Sequence, residues 1–217
     1  MSDTAVTDSH TPDRSPPDGR AARRDRNRAA VLDAVITLFS EGTLDPGPEE
    51  VARRAGLSLR SVYRYFDDRQ ALLQAAIDRQ TDAVRPLLAI HAIGAGPLAD
   101  RIETLVTARL RLYEATAATS RAARSRAGSN PTLGRQVALA RRTLRDQVDR
   151  QFASELAALD PRRRRSLEAA ADALLQFDTL DLYRLHRGLS VRATHQVLSD
   201  ALHALLDRPP HPKEPQP

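Results

Sequence analysis

Residues 56–77, Gly-Leu-Ser-Leu-Arg-Ser-Val-Tyr-Arg-Tyr-Phe-Asp-Asp-Arg-Gln-Ala-Leu-Leu-Gln-Ala-Ala-Ile, decide how this chain reads. Ser58 is placed to cap a helix over Leu59 to Phe66, and Asp67 or Asp68 caps a further helix that continues to about Arg85, where Pro86 ends it. Just upstream, Pro48 to Ala55 reads as a short helix with proline in its first turn and Gly56 at its end. Val51, Ala52 and Ala55 can pack against Leu57, Val62 and Phe66, which sets two short helices at a steep angle across a tight turn. Leu59, Arg60, Ser61, Tyr63, Arg64 and Tyr65 are then left outside or at the edge. Arginine pairs bidentately with guanine in a major groove, serine reaches bases or phosphate, and tyrosine donates to phosphate while its ring lies on sugar or a thymine methyl. Arg69, in the first turn of the following helix, is positioned to grip a nucleic-acid backbone. The run Arg20, Arg23, Arg24, Arg26 and Arg28 adds a basic arm able to neutralise phosphates or enter a minor groove. An ordinary three-helix cluster with a solvated arginine face fits the same residues, so chemistry alone leaves both readings open.

The rest of the chain is helical by pattern. With 217 residues there is length for one or two domains and a real core. Hydrophobic residues make up 41%, with one Met, no Trp and 4% aromatics, so the core is mainly Ala, Leu and Val, which pack helix on helix. Nine glycines are too few for a turn-rich β architecture, and the fold class expected is all-α. A formal net charge of +5, carried almost wholly by arginine, suits a polyanionic partner. Cysteine is absent, which excludes disulfides and thiolate metal sites and fits a reducing cytoplasm. No apolar run approaches the roughly 18 residues that span a membrane, and the N-terminus does not resemble a signal peptide.

Four zones follow: a disordered, basic-ended arm over 1–22, a helix-turn-helix unit over 23–85, a helical regulatory and dimerisation unit over 86–207, and a disordered tail over 208–217. The expected helices are Arg23 to Ser40, Pro48 to Ala55, Leu59 to Phe66, and Asp68 to Arg85. They continue with Leu98 to Ala118, a weak one at Arg121 to Ala127, Thr132 to Leu159, Pro161 to His186, and a last one capped by Ser190 and running to Leu206.

Ala55-Gly56-Leu57-Ser58, then Val62-Tyr63-Arg64-Tyr65-Phe66 and Ala71-Leu72-Leu73, preceded by Leu38-Phe39 and Gly42, resemble the N-terminal domain of the tetracycline-repressor (TetR) family over about residues 24–80. The resemblance implies a homodimeric all-helical transcription regulator, with three N-terminal helices for double-stranded DNA and a C-terminal half for an inducer. It implies base-facing positions at Leu59, Arg60, Ser61 and Tyr63, and backbone contacts from Arg64, Tyr65 and Arg69; Arg24 and Arg28 join the DNA-binding candidates from the charge of the basic run alone. The chain departs from the family pattern at Gly47-Pro48-Glu49-Glu50. The two carboxylates suit the positive end of the helix dipole but repel a nearby phosphate.

Residues Phe177 to Gly188 and Leu189 to Leu206 are similar to the family's paired dimerisation helices, which implies a seam with Leu174, Phe177, Leu198, Leu202 and Leu205. The resemblance further implies a cavity between 98 and 160 for a small apolar or amphipathic effector. Arg109, Tyr113, Gln136 and Phe152, on helices expected to face inward, are its candidate contacts; the competing reading makes Tyr113 and Phe152 plain core and Arg109 surface. The partners expected are a palindromic operator and a second copy of the chain, with no membrane, cofactor or metal. An enzyme is not expected: no phosphate loop, nucleophile elbow or His-Glu-x-x-His helix occurs. Asp178 with Asp181 read more simply as a polar rim on a dimer seam, and His186, His195 and His203 as interface or surface groups, than as ligands. Arg162 to Arg165 read as a solvated face or as a contact for an acidic partner. A protein-binding helical adaptor without DNA activity remains the alternative.

Overall fold

A computed structural model describes residues 19–207, so the expectations of disorder for 1–18 and 208–217 lie outside the described residues. Ten α-helices occur among them, and no strand. Helix α1, Gly19–Ser40, buries Val31, Leu32, Ala34, Val35, Leu38 and Phe39 at helical spacing. The helices α2 (Pro48–Ala55), α3 (Leu59–Tyr65) and α4 (Arg69–Val84) follow, and a 3-10 turn at Arg85–Leu88 continues α4. Gly56 ends α2 in the left-handed region, φ 66° and ψ 31°, and the N–H groups of Gly56 and Leu57 return to the carbonyls of Arg53 and Ala52.

The second unit comprises α5 (Leu98–Arg126), α6 (Pro131–Gln151), α7 (Ala153–Ala157), α8 (Pro161–Leu175), α9 (Phe177–Asp181), a π-helical turn at Leu182–His186, and α10 (Val191–Leu206). Two cores result. One joins α1 to α4, and Ala122, Ala123 and Leu133 from the distal end of α5 and the start of α6 belong to it as well. The other is built from α5, α6, α8, α9 and α10 around Leu105, Val106, Val148, Phe152, Leu198 and Leu202. The end of the α5–α6 hairpin is therefore wedged into the helix-turn-helix unit, and any shift of one unit is felt by the other. Phe39 sits fully buried where α1 meets α2 and α4; Phe39→Ala should lower stability by about 3–5 kcal/mol, measurable as a leftward shift of the urea unfolding curve.

Several sequence expectations need correction. Residues 19–22 are the first turn of α1, because Ala21, Ala22 and the arginines are strong helix formers; the basic run is a helix, not an arm. The weak helix at 121–127 is the unbroken end of α5. The helix expected over 132–159 breaks at Phe152 (φ −114°, ψ 23°), where Arg101 Nη1 donates to the Gln151 carbonyl at 2.7 Å. The Gln151 side chain ties that junction to the start of α5 and the loop before it, donating to the Arg101 carbonyl and accepting from the Gly94 N–H. The helix expected over 161–186 breaks at Gln176 (ψ 155°), where Thr179 Oγ1 donates to the Ala173 carbonyl at 2.6 Å and Phe177 turns inward against Tyr113.

The seam assignment also changes. Leu198 and Leu202 are buried in the chain's own core with Phe177, so none of the three is available to a partner. Leu174 and Leu205 are half-buried and line a shallow surface groove with Ala170, Ala173, Thr179 and Ala201 between α8 and α10. The large apolar residues that are exposed at this end are Leu182, Leu185, Val191 and Val197.

Candidate nucleic-acid interface

Helix α3 is only seven residues long, too short to persist without its ends being satisfied. Ser58 Oγ accepts the N–H of Ser61 at 3.2 Å, Val62 plugs into the core, and the Phe66 N–H returns to the Val62 carbonyl. Of the two candidate caps, Asp68 is the one used: its carboxylate accepts the Ala71 N–H at 2.7 Å and starts α4. With Val62 inward, the opposite side of α3 faces solvent. Tyr63 is 48% exposed, Arg60 and Arg64 are exposed, and Leu59 and Ser61 are half-buried beside them.

Tyr65 closes one edge of this face. It is half-buried against the core, its hydroxyl accepts from Arg64 Nη2 at 2.8 Å, and the same guanidinium lies 5.1 Å from its ring centroid. The Arg64 hydrogen bond holds the Tyr65 phenol below its ordinary value, with smaller contributions from Asn27 and Arg24. Those contributions place the first turns of α1 beside the end of α3. Arg28 adds to this side, with its guanidinium 5.1 Å from the Phe66 ring. Arg24, Arg28, Arg60, Tyr63 and Arg64 thus share one exposed, cationic surface, drawn from α1 and α3.

Arg69 does not stand free for a phosphate. Its Nε donates to the Pro46 carbonyl at 3.0 Å, Nη2 donates to the Asp45 carbonyl, and the guanidinium pairs with the Asp45 carboxylate at 2.8 Å. Arg126, from the end of α5, pairs with the same carboxylate. Arg54 is likewise engaged, bidentate on Glu41 at 2.7 and 2.6 Å, and that hydrogen bonding holds the Glu41 carboxyl below its usual range. Sequence reading missed Asn27, Asp45 and Arg126. Only Asn27 had a local cue, one helical turn from Arg24 and one residue from Arg28; Asp45 and Arg126 are 81 residues apart.

The four ligand candidates do not converge. Gln136 bridges α4 and α6, donating to Asp78 at 2.7 Å and accepting from Gln74 at 3.0 Å. Phe152 is fully buried packing at the α6–α7 break. The Tyr113 hydroxyl donates to Asp181 at 2.7 Å, and burial together with that carboxylate pushes its phenol up to about 12. Arg121 joins the same carboxylate at 2.9 Å, so Asp181 serves a structural pair. Arg109 is buried rather than superficial, between α5 and α6. The arginine run at α8 is partly structural too: Asp160 caps the N–H groups of Arg162 and Arg163, and Arg164 Nε donates to the Leu156 carbonyl. Asp178 accepts from Arg141 at 2.8 Å and pairs with Arg124. His195 lies 3.1 Å from Glu103 and His203 3.1 Å from Asp207. Among the described residues no group of three or more His, Cys, Asp or Glu is arranged to hold a metal, and no helix is long and apolar enough to cross a membrane.

Residues 31–76, spanning the second half of α1, all of α2 and α3 and the first half of α4, match the family model for bacterial regulatory proteins of the tetR family. The chain is 34% identical over 99 residues to an uncharacterized HTH-type transcriptional regulator of Mycobacterium tuberculosis, covering 44% of this chain and 48% of that protein. It is 32% identical over 82 residues to the HTH-type transcriptional regulator BetI of Klebsiella pneumoniae, covering 36% and 42%. The chain spans about half the length of the curated relatives it matches. Among solved structures, a tetR-family transcriptional regulator from Streptomyces coelicolor superposes with TM-score 0.62 at 20% identity, over 83% of this chain and 79% of that one. A protein from Pseudomonas aeruginosa PAO1 gives 0.65 at 19% identity, over 88% and 97%. These two likenesses carry the all-helical fold beyond the matched segment.

Proposed function

We propose that this chain, which has the N-terminal domain of the tetR-family regulatory proteins, is a homodimeric DNA-binding transcriptional repressor acting in the cytoplasm. On this reading it binds near-palindromic operators and is released by a small effector in its C-terminal half. The observation that carries the proposal is the outward face of α3: a capped seven-residue helix with Val62 as its root and Tyr63 and Arg60 projecting. A convex element of this size enters a major groove, and Arg24 and Arg28 flank it as phosphate contacts. Exposed Leu182, Leu185, Val191 and Val197 supply an apolar seam for the second copy in the C-terminal unit. An adaptor role would use that seam alone and leave the cationic α3 face without purpose.

Selection of bound duplexes from a random pool with the purified chain tests this reading. A near-palindrome with half-sites about one turn apart, or slightly more, is expected. Failure to enrich any sequence would remove the regulator reading. On the selected site, Asp45→Asn should free Arg69 for a phosphate, raising affinity at low salt and steepening the log–log salt dependence by about 1 per subunit. An unchanged slope would show that Arg69 stays on the carbonyls of Asp45 and Pro46.

A further inference from the structure

Two arginines are buried in the C-terminal unit, and the fold treats them differently. Arg101 is 5% exposed, pairs with the Glu155 carboxylate, and donates to the carbonyls of Gln151 and Gly96. Arg109 is 2% exposed, and its two acceptors are neutral: Gln147 Oε1 at 2.6 Å and the Leu144 carbonyl at 2.7 Å. Its Nε–H has no partner, and it makes no ion pair among the described residues. A buried cation without a directly paired carboxylate is costly to keep, and folds ordinarily supply such a pair, as Arg101 shows.

The surroundings extend the mismatch. Asp172 of α8 acts on Arg109 through space without pairing, and accepts instead from Gln176 Nε2. Gln176 Oε1 is itself buried without a donor, and so is Asp149 Oδ1 on α6, whose carboxyl feels Asp172 as well. One open donor on α5 and two open acceptors, one on α6 and one at the break between α8 and α9, therefore come from elements that approach Asp172. Helices α5, α6 and α8 carry much of the unit's apolar core: Leu105, Val106 and Leu110 on α5, Val148 on α6, and Ala171 and Leu175 on α8.

We infer that Arg109 anchors an effector site for a small amphipathic carboxylate, whose anionic oxygens take the Arg109 guanidinium and whose apolar body lies among α5, α6 and α8. The open acceptors of Gln176 and Asp149 favour an acid that also carries a hydroxyl. The site is wired toward the DNA-binding unit. Gln147, which holds Arg109, also donates through Nε2 to the Leu88 carbonyl at 2.6 Å, in the 3-10 turn that continues α4. A carboxylate on Arg109 competes with Gln147 Oε1, and the released amide changes its hold on that turn. This inference rests on the effector-released repressor reading above for its consequence, though not for the binding itself.

The test uses the full chain with octanoate, 3-hydroxyoctanoate, benzoate and 4-hydroxybenzoate, each beside its own neutral amide, read by calorimetry and thermal shift. At least one acid should bind about tenfold or more tighter than its amide, with 3-hydroxyoctanoate ahead of octanoate. Arg109→Gln should abolish the preference for acid over amide, and Arg109→Lys should weaken it, since lysine loses the planar fork. Gln147→Leu should keep acid binding and lose its effect on DNA. If no acid is preferred over its amide in the unsubstituted chain, or if the Arg109 variants bind the preferred acid as before, the inference is overturned. The acid–amide comparison needs no variant, so a substitution that misfolds does not decide the matter. A chain that selects DNA yet prefers no acid loses this site alone; one that prefers an acid at Arg109 yet selects no DNA keeps the site and loses the repressor reading.

Discussion

Replacing Arg60 and Tyr63 together by alanine is expected to lower affinity for the selected operator by about three orders of magnitude or more while leaving the fold intact. Each base-edge contact in a major groove contributes about 1–3 kcal/mol, and a twofold dimer presents every contact twice. Both side chains are exposed in the free chain, Tyr63 at 48%, and neither belongs to a core cluster, so their removal should shift unfolding by no more than about 0.5 kcal/mol. Arg165→Ala, on the exposed side of α8 in the second unit, serves as the control and should change DNA affinity little. Titration by fluorescence anisotropy over a range of salt distinguishes the two residues further. Arg60→Ala alone should relax sequence preference if it reads a base, whereas loss of a phosphate contact weakens all duplexes alike. Equal affinity of the double variant and the parent chain would remove α3 from the interface.

The second large effect separates the inside of α10 from its outside. Leu198 is 0% exposed, packed between α5 and α8, so Leu198→Glu buries a carboxylate without a partner and should cost more than about 4 kcal/mol, enough to prevent folding. Val197, the adjacent residue, is 37% exposed and Leu185 is 53% exposed. Val197→Glu with Leu185→Glu should leave each subunit folded, with unchanged circular dichroism, and yield monomers by sedimentation, because a twofold seam brings like charges face to face. Operator affinity would fall with the dimer. Folded dimers from that double variant would put the seam on another face.

What the sequence disclosed follows the range of the forces involved. Ser58, Asp68, Asp160 and Ser190 act within three residues of themselves, and each caps the helix that its position implies. The left-handed turn at Gly56 and the proline start of α2 are equally local. The interior of the helix-turn-helix unit was legible because Val51, Val62 and Phe66 are apolar among polar neighbours.

Helix α10 was not, since Val197, Ala201 and Leu205 run beside Leu198 and Leu202 and nothing local says which stripe faces the chain's own core. The breaks at Phe152 and Gln176 arise from Arg101 and Thr179 capturing backbone carbonyls, and the capture by Arg101 reaches across 50 residues. Arg69 looked like a phosphate ligand because its competitor, Asp45, lies in a loop that only the fold brings near. Arg109 was placed on an inward-facing helix, but its lack of a direct ion pair is visible only once α6 and α8 are in place.

The central claim is that α3 stands out from its unit and a twofold pair of chains carries it to a duplex. Sedimentation of the full chain with a labelled duplex bearing the selected site, at about 0.1 M salt, tests it most directly, because steep salt dependence is part of the account. The expected result is a complex of two chains per duplex that disappears when Arg60 and Tyr63 are replaced by alanine. A chain that sediments as a free monomer beside unbound DNA, or a complex indifferent to both substitutions, would contradict it.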